Sequence, residues 1–154
     1  MFWNESLSEA LILALDPGIN TGAVILNPDT RALASFQWTI HEVFDFLPRI
    51  KAGDTMIVEN FVLRPGLAKK TKVYEPLWII GACKYVADRV GCELVLQEPS
   101  EAKTWADRER LRGWGVDKKV MVGPHRLDAM RHLSLWLGKK KLLHLLDGVS
   151  ENDN

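Results

Sequence analysis

Ala10-Leu11-Ile12-Leu13-Ala14-Leu15-Asp16-Pro17-Gly18 holds the key to this chain: six apolar residues in a row, closed by an acid and a turn dipeptide. A strand covered on one face alternates apolar and polar side chains. An unbroken run of this length instead predicts a central strand covered on both faces. Thr21-Gly22 leads into a second run, Ala23–Leu26, and Asn27-Pro28-Asp29-Thr30 is a turn signal. Beyond it Ala32, Ala34, Phe36 and Trp38 alternate with Leu33, Ser35, Gln37 and Thr39, a period of two that predicts a third strand antiparallel to the second.

Downstream, the pattern predicts a short helix over His41–Ile50, a buried strand Met56–Val58 ending at Glu59, and a polar, basic loop over 60–73. A helix follows over Glu75–Arg89, with Pro76 tolerated in its first turn. Glu93–Gln97 is a fifth strand, and Ser100 is the expected N-cap of a charged helix reaching to about Arg112. After the break at Gly113-Trp114-Gly115, a last helix runs from His125 to about Leu137 and into Lys139-Lys140-Lys141. The segment 146–154, polar from Gly148, is expected to be a disordered tail. The order βββαβαβαα implies an α/β protein, one domain over 1–154. Its mixed five-stranded sheet is a three-strand antiparallel meander plus two parallel strands, flanked by helices.

The 154 residues are 47% apolar and 26% charged, which excludes disordered, collagenous and low-complexity classes. The longest aliphatic runs, Ala10–Leu15 and Leu77–Cys83, fall far below the roughly 20 residues that span a bilayer. Met1–Glu5 lacks a basic region followed by an apolar one, so no secretory signal and no membrane are expected. Cys83 and Cys92 form no C-x-x-C pair, which points to a reduced, cytoplasmic setting. The 20 basic and 20 acidic side chains cancel, but they are segregated. Residues 1–61 carry 3 basic and 8 acidic groups, residues 62–141 carry 17 and 9, and the rest adds three acids. The basic block suits a phosphate-bearing partner.

Asp16 and Glu59 both stand where a buried-type strand leaves the sheet. If those strands are neighbours the two acids face one spot, where like charges raise each other's pKa unless a cation lies between them. Hard ions such as Mg²⁺ or Mn²⁺ prefer such oxygen-only surroundings. In the last helix His125, Asp128, Ala129 and His132 fall at i, i+3, i+4 and i+7, on one face. Asp128 would complete a three-carboxylate site, with His125 one turn before it. Such a site holds one or two metal ions and hydrolyses phosphodiesters. Singly, each residue has a plainer role: Asp16 in a turn, Glu59 as a solvent-facing acid, His125 and Asp128 as polar groups at a helix start. Their combination in this order favours a site. His132 reads as a packed or hydrogen-bonded histidine, His41 and His144 as surface residues.

The motif L-A-L-D-P-G-I-N-T-G resembles the first motif of RuvC-type Holliday-junction resolvases, I-V-E-N-F the second, and H-R-L-D-A-M-R-H-L the final helix motif. The resemblance spans about Leu11 to Leu137. It implies an RNase H-like fold, with Asp16, Glu59, His125 and Asp128 as catalytic and metal-binding residues around Mg²⁺ or Mn²⁺, two ions per site. The implied activity is resolution of four-way or other branched DNA by paired symmetric nicks, leaving 5′-phosphate and 3′-hydroxyl ends. Lys103 resembles a DNA-contacting lysine of the family, and Gly81 a small helix residue. Lys69, Lys70, Lys72, Arg108, Arg112, Lys118 and Lys119 are further DNA-binding candidates. The family often carries a wedging aromatic three residues after its second acid. Val62 stands there, and Phe61 is the nearest aromatic. Two symmetric nicks require two sites, hence a C2 homodimer, with Trp78, Ile79 and Val86 as interface candidates. The divergent, arginine-rich stretch 105–121 and the compact form look more like phage-encoded relatives, which would act in the host cytoplasm.

Three alternatives share parts of this pattern. Sugar kinases and actin-like ATPases carry a similar first turn but bind nucleotide between two domains, so no nucleotide cofactor is expected. An RNase H-like nuclease of the YqgF type would act on RNA. A non-catalytic nucleic-acid-binding domain would not need all four acidic or histidine positions.

Overall fold

The unbroken apolar run becomes the middle strand of a five-stranded sheet. The structure, a computed structural model, describes residues 10–62, 74–116 and 118–147. Its strands are β1 (Ile12–Asp16), β2 (Thr21–Leu26), β3 (Leu33–Trp38), β4 (Thr55–Glu59) and β5 (Glu93–Gln97), in the spatial order β3-β2-β1-β4-β5. β1 pairs antiparallel with β2, and β2 with β3, while β1–β4 and β4–β5 are parallel. This is the predicted meander plus two parallel strands. The helices are α1 (Ile40–Phe46), α2 (Glu75–Val90), α3 (Pro99–Trp105), α4 (Arg108–Gly113) and α5 (Pro124–Lys139). Short 3₁₀ turns cover Leu47–Arg49, Lys118–Met121 and Leu143–Leu146.

Every residue of β1 is buried because both faces of the sheet are covered. Ile12, Ala14, Val24, Leu26 and Ile57 pack with Leu127, Met130, Leu133 and Leu137 of α5. The alternate residues Leu13, Leu15, Ile25, Met56 and Val58 pack on the other side with Val43 of α1 and Ile79 and Cys83 of α2. Buried Asp54 ties the starts of the parallel strands together. Its carboxylate accepts from the backbone N–H of Leu11 at 2.7 Å and of Lys51 at 2.7 Å. Asn27 builds the β2–β3 turn, its side chain accepting from the N–H groups of Asp29 and Thr30.

Several expectations need correction. The charged helix expected from Ser100 to Arg112 is two helices, so the order gains a further α element. Asp107 N-caps α4 by accepting from the Arg110 N–H at 2.9 Å, and a side chain that caps a new helix ends the previous one. Ser100 is not the cap of α3: Glu98 occupies that place and Pro99 opens the helix. The His41–Ile50 helix gives way to a 3₁₀ turn at Leu47-Pro48-Arg49. Leu146, expected to open a disordered tail, is instead fully buried in the α5-side core; residues 148–154 of that expected tail lie outside the described residues. Ile79 is also fully buried, under the sheet rather than on an interface, and Val86 packs against the same cluster. Among the described residues no helix is long and apolar enough to cross a membrane.

Candidate active site

Strand period places the site. Asp16 has the parity of Ile12 and Ala14, and Glu59 that of Ile57, so both carboxylates leave the sheet on the face that α5 covers. β1 and β4 run parallel, with Leu15 opposite Val58, which sets Asp16 beside Glu59 at the same end. β5 continues the row with Gln97, the register partner of Glu59. Three parallel neighbours therefore end in Asp16, Glu59 and Gln97.

Gly22 brings the last helix to this edge. It lies opposite Asp16 in β2, and a Cβ there would stand 1.9 Å from the carbonyl oxygen of His125. Only a residue without a side chain lets the first turn of α5 settle on the sheet at this point. His125 then lies with Nδ1 3.5 Å from Asp16 Oδ2, and Asp128 follows one turn later.

Asp16 is 9% exposed, and its carboxyl is pushed up from 3.8 to about 8. Burial is the main cause, followed by the negative charges of Glu59 and then Asp128; Lys103 opposes them from its exposed place on α3. Glu59, Asp128 and Lys103 thus all lie close enough to Asp16 to act on its charge. Among the described residues, however, no three His, Cys, Asp or Glu side chains are drawn together as an ion would hold them. Glu59 and Asp128 are engaged by other groups instead. Glu59 Oε2 lies 2.7 Å from His132 Nε2, and Asp128 Oδ1 accepts from Arg131 Nη1 at 2.9 Å. Arg131 also donates from Nε to the Ala106 carbonyl at the end of α3, 3.1 Å away. His132 is hydrogen-bonded, as its sequence context suggested, with Nδ1 2.8 Å from Gln97 Oε1.

Arg131 and Gln97 were missed in the sequence. The signal for Gln97 was a third buried-type strand with a polar last residue. For Arg131 it was the i, i+3 spacing from Asp128. The donor chemistry suits a hard divalent cation: carboxylate oxygens from Asp16, Glu59 and Asp128, with the Asp16 anion destabilised by burial and by the other two charges.

Arg108, Arg112, Lys118 and Lys119 are all exposed. Lys69, Lys70 and Lys72 lie outside the described residues. Phe61 is half-buried against the α2-side core, and Val62 beside it is the exposed residue.

No protein-family model matches this sequence, and no curated protein matches it. Among solved structures the chain is similar to that of T. thermophilus RuvC in complex with a Holliday junction substrate, at 16% identity and a TM-score of 0.57. It is also similar to a Thermus thermophilus RuvC structure, at 16% identity and a TM-score of 0.51. Each comparison covers 86% of this chain and 97% of the other. The likeness is one of fold: the mixed sheet flanked by helices is the RNase H-like arrangement expected from the motifs.

Proposed function

We propose that this chain is a metal-dependent endonuclease that resolves four-way or other branched DNA by paired symmetric nicks. What supports this reading is buried Asp16, with His125 3.5 Å away and its carboxyl pKa raised by burial and by the charges of Glu59 and Asp128, on a sheet arranged as in a junction-bound RuvC structure. Asp16, Glu59 and Asp128 would hold Mg²⁺ or Mn²⁺, two ions per site, with His125 as a further ligand or as the group that orients water. The bound ions supply water activation and neutralise charge on the scissile phosphate. Water attacks phosphorus and the bond to the 3′-oxygen breaks, leaving a 5′-phosphate and a 3′-hydroxyl. His125 is the candidate to orient that water and receive its proton. Lys103, close enough to influence Asp16, would hold the phosphate backbone beside the reacting group.

Two nicks need two copies. The exposed face of α2 is the candidate interface: Trp78 and Tyr85 are 56% and 67% exposed, and Trp78 stacks on Tyr74 with ring centres 6.3 Å apart. A direct test incubates the protein and Mg²⁺ with a four-way junction, linear duplex or structured RNA. Symmetric paired nicks in the junction support the proposal. Cleavage of RNA alone, or of no nucleic acid, would overturn it.

A further inference from the structure

Glu59 reaches the site on a side chain with three rotatable bonds, and a carboxylate left free to swing loses ordering entropy when it binds an ion. In this chain it is already held. His132 is 1% exposed, lies beneath Glu59 on α5, and presents Nε2 to Oε2 at 2.7 Å. A carboxylate only accepts, so the proton of this bond sits on Nε2. The opposite ring nitrogen is occupied by Gln97, itself 3% exposed, at 2.8 Å. In the orientation that points Oε1 at the ring, the Gln97 amide nitrogen is buried with no partner. Turned over, the amide would donate to Nδ1 and leave Nε2 as the sole N–H of a neutral ring. In either orientation Gln97 fills Nδ1 and the Nε2–H faces Glu59.

We infer that His132, backed by Gln97, is the positioning residue that presets the Glu59 carboxylate for a divalent ion. This rests on the metal-dependent reading above. β4, β5 and α5 each contribute one member: Glu59 and Gln97 are register partners on adjacent strands, and His132 bridges them from the helix. His132 and Gln97 are both buried and act through Glu59. They leave Glu59 a single orientation, as hydrogen bonds to ligating carboxylates do.

The test measures Mn²⁺ binding to the full chain by calorimetry, beside Mg²⁺ titrations of junction cleavage, for wild type, His132→Gln, His132→Leu and Gln97→Leu. Removing the donor in His132→Leu should weaken Mn²⁺ binding by roughly 10–100-fold and raise the Mg²⁺ concentration for half-maximal cleavage in parallel. Cleavage at saturating Mg²⁺ should recover most of its rate. His132→Gln, which can still offer an N–H near the Nε2 position, should restore much of the affinity. Should His132→Leu fail to fold, Gln97→Leu carries the test, with a loss in the same direction of several-fold. Unchanged Mn²⁺ affinity in folded His132→Leu, or no Mn²⁺ binding by the wild type, overturns the inference. If the wild type binds Mn²⁺ but cuts no branched DNA, the nuclease reading fails while the metal titrations still decide the role of His132.

Discussion

Asp16 is a buried acid that folding holds as an acid. Its carboxyl titrates near 8 in the folded chain against 3.8 ordinarily, so the folded state binds this proton more tightly than the unfolded one. The associated stability is complete below about pH 4 and is lost as pH rises to about 8. Denaturant unfolding in chelator across pH 5 to 9 should show that decline, and Asp16→Asn should flatten it. The same variant should lower junction cleavage by on the order of 10³-fold or more, a loss typical of removing a central catalytic carboxylate. Gel-shift affinity for the junction should stay near that of the wild type. Near wild-type cleavage by Asp16→Asn would refute the assignment. The proposed site residues Asp16, Glu59, His125 and Asp128 stand out in the sequence, because an acid ending an apolar run and a polar pair one turn apart are local patterns. Their partners stand out less: His132 meets Glu59 across 73 positions and Gln97 across 35, separations that no short motif spans.

At the scale of elements, α5 matters most, since it carries His125, Asp128, Arg131 and His132 and packs across β2, β1 and β4. Its position depends on close approaches at both ends. Gly22 admits the first turn, and Gly138 admits the ring of Trp105, which a Cβ would meet at 2.2 Å. Gly22→Ala forces backbone against backbone, where no flexible side chain can yield. It should destabilise the fold by about 1–3 kcal/mol and reduce cleavage beyond what the fraction unfolded explains, because His125 and Asp128 move off Asp16. Urea unfolding combined with cleavage rates at full saturation checks both. In the sequence Gly22 is legible only as the residue that leads into the second apolar run. Only the packed helix reveals it as the point where two backbones meet. The split between α3 and α4 has a similar origin: Asp107 could cap or continue a helix, and the site where Arg131 meets the Ala106 carbonyl lies at that break.

For the whole molecule, the neutral total charge conceals a basic half that supplies every proposed DNA contact except Phe61. If six or more phosphates are engaged, junction affinity should fall by roughly 10³-fold between 50 and 200 mM salt, measurable by fluorescence anisotropy. A neutral molecule without a basic face would show a shallow slope. The exposed aromatics of α2 should govern assembly: Trp78→Glu with Tyr85→Glu is expected to shift sedimentation at micromolar concentration from dimer to monomer. In the monomer the paired nicks should become uncoupled single nicks. A wild type that sediments only as monomer would refute the dimer.

By itself the sequence determined the sheet, its strand count and the acids at its end, because burial on both faces leaves an unbroken apolar run and strand ends carry recognisable stops. A run apolar on both sides has no face, so which side Asp16 and Glu59 would share was beyond any local pattern. The tertiary structure decided that, by laying α5 over Gly22 and along the parity of Ala14 and Ile57. With the helix came Arg131 and His132 against two of the carboxylates. Long-range packing, rather than motif spacing, thus sets how the acids are held.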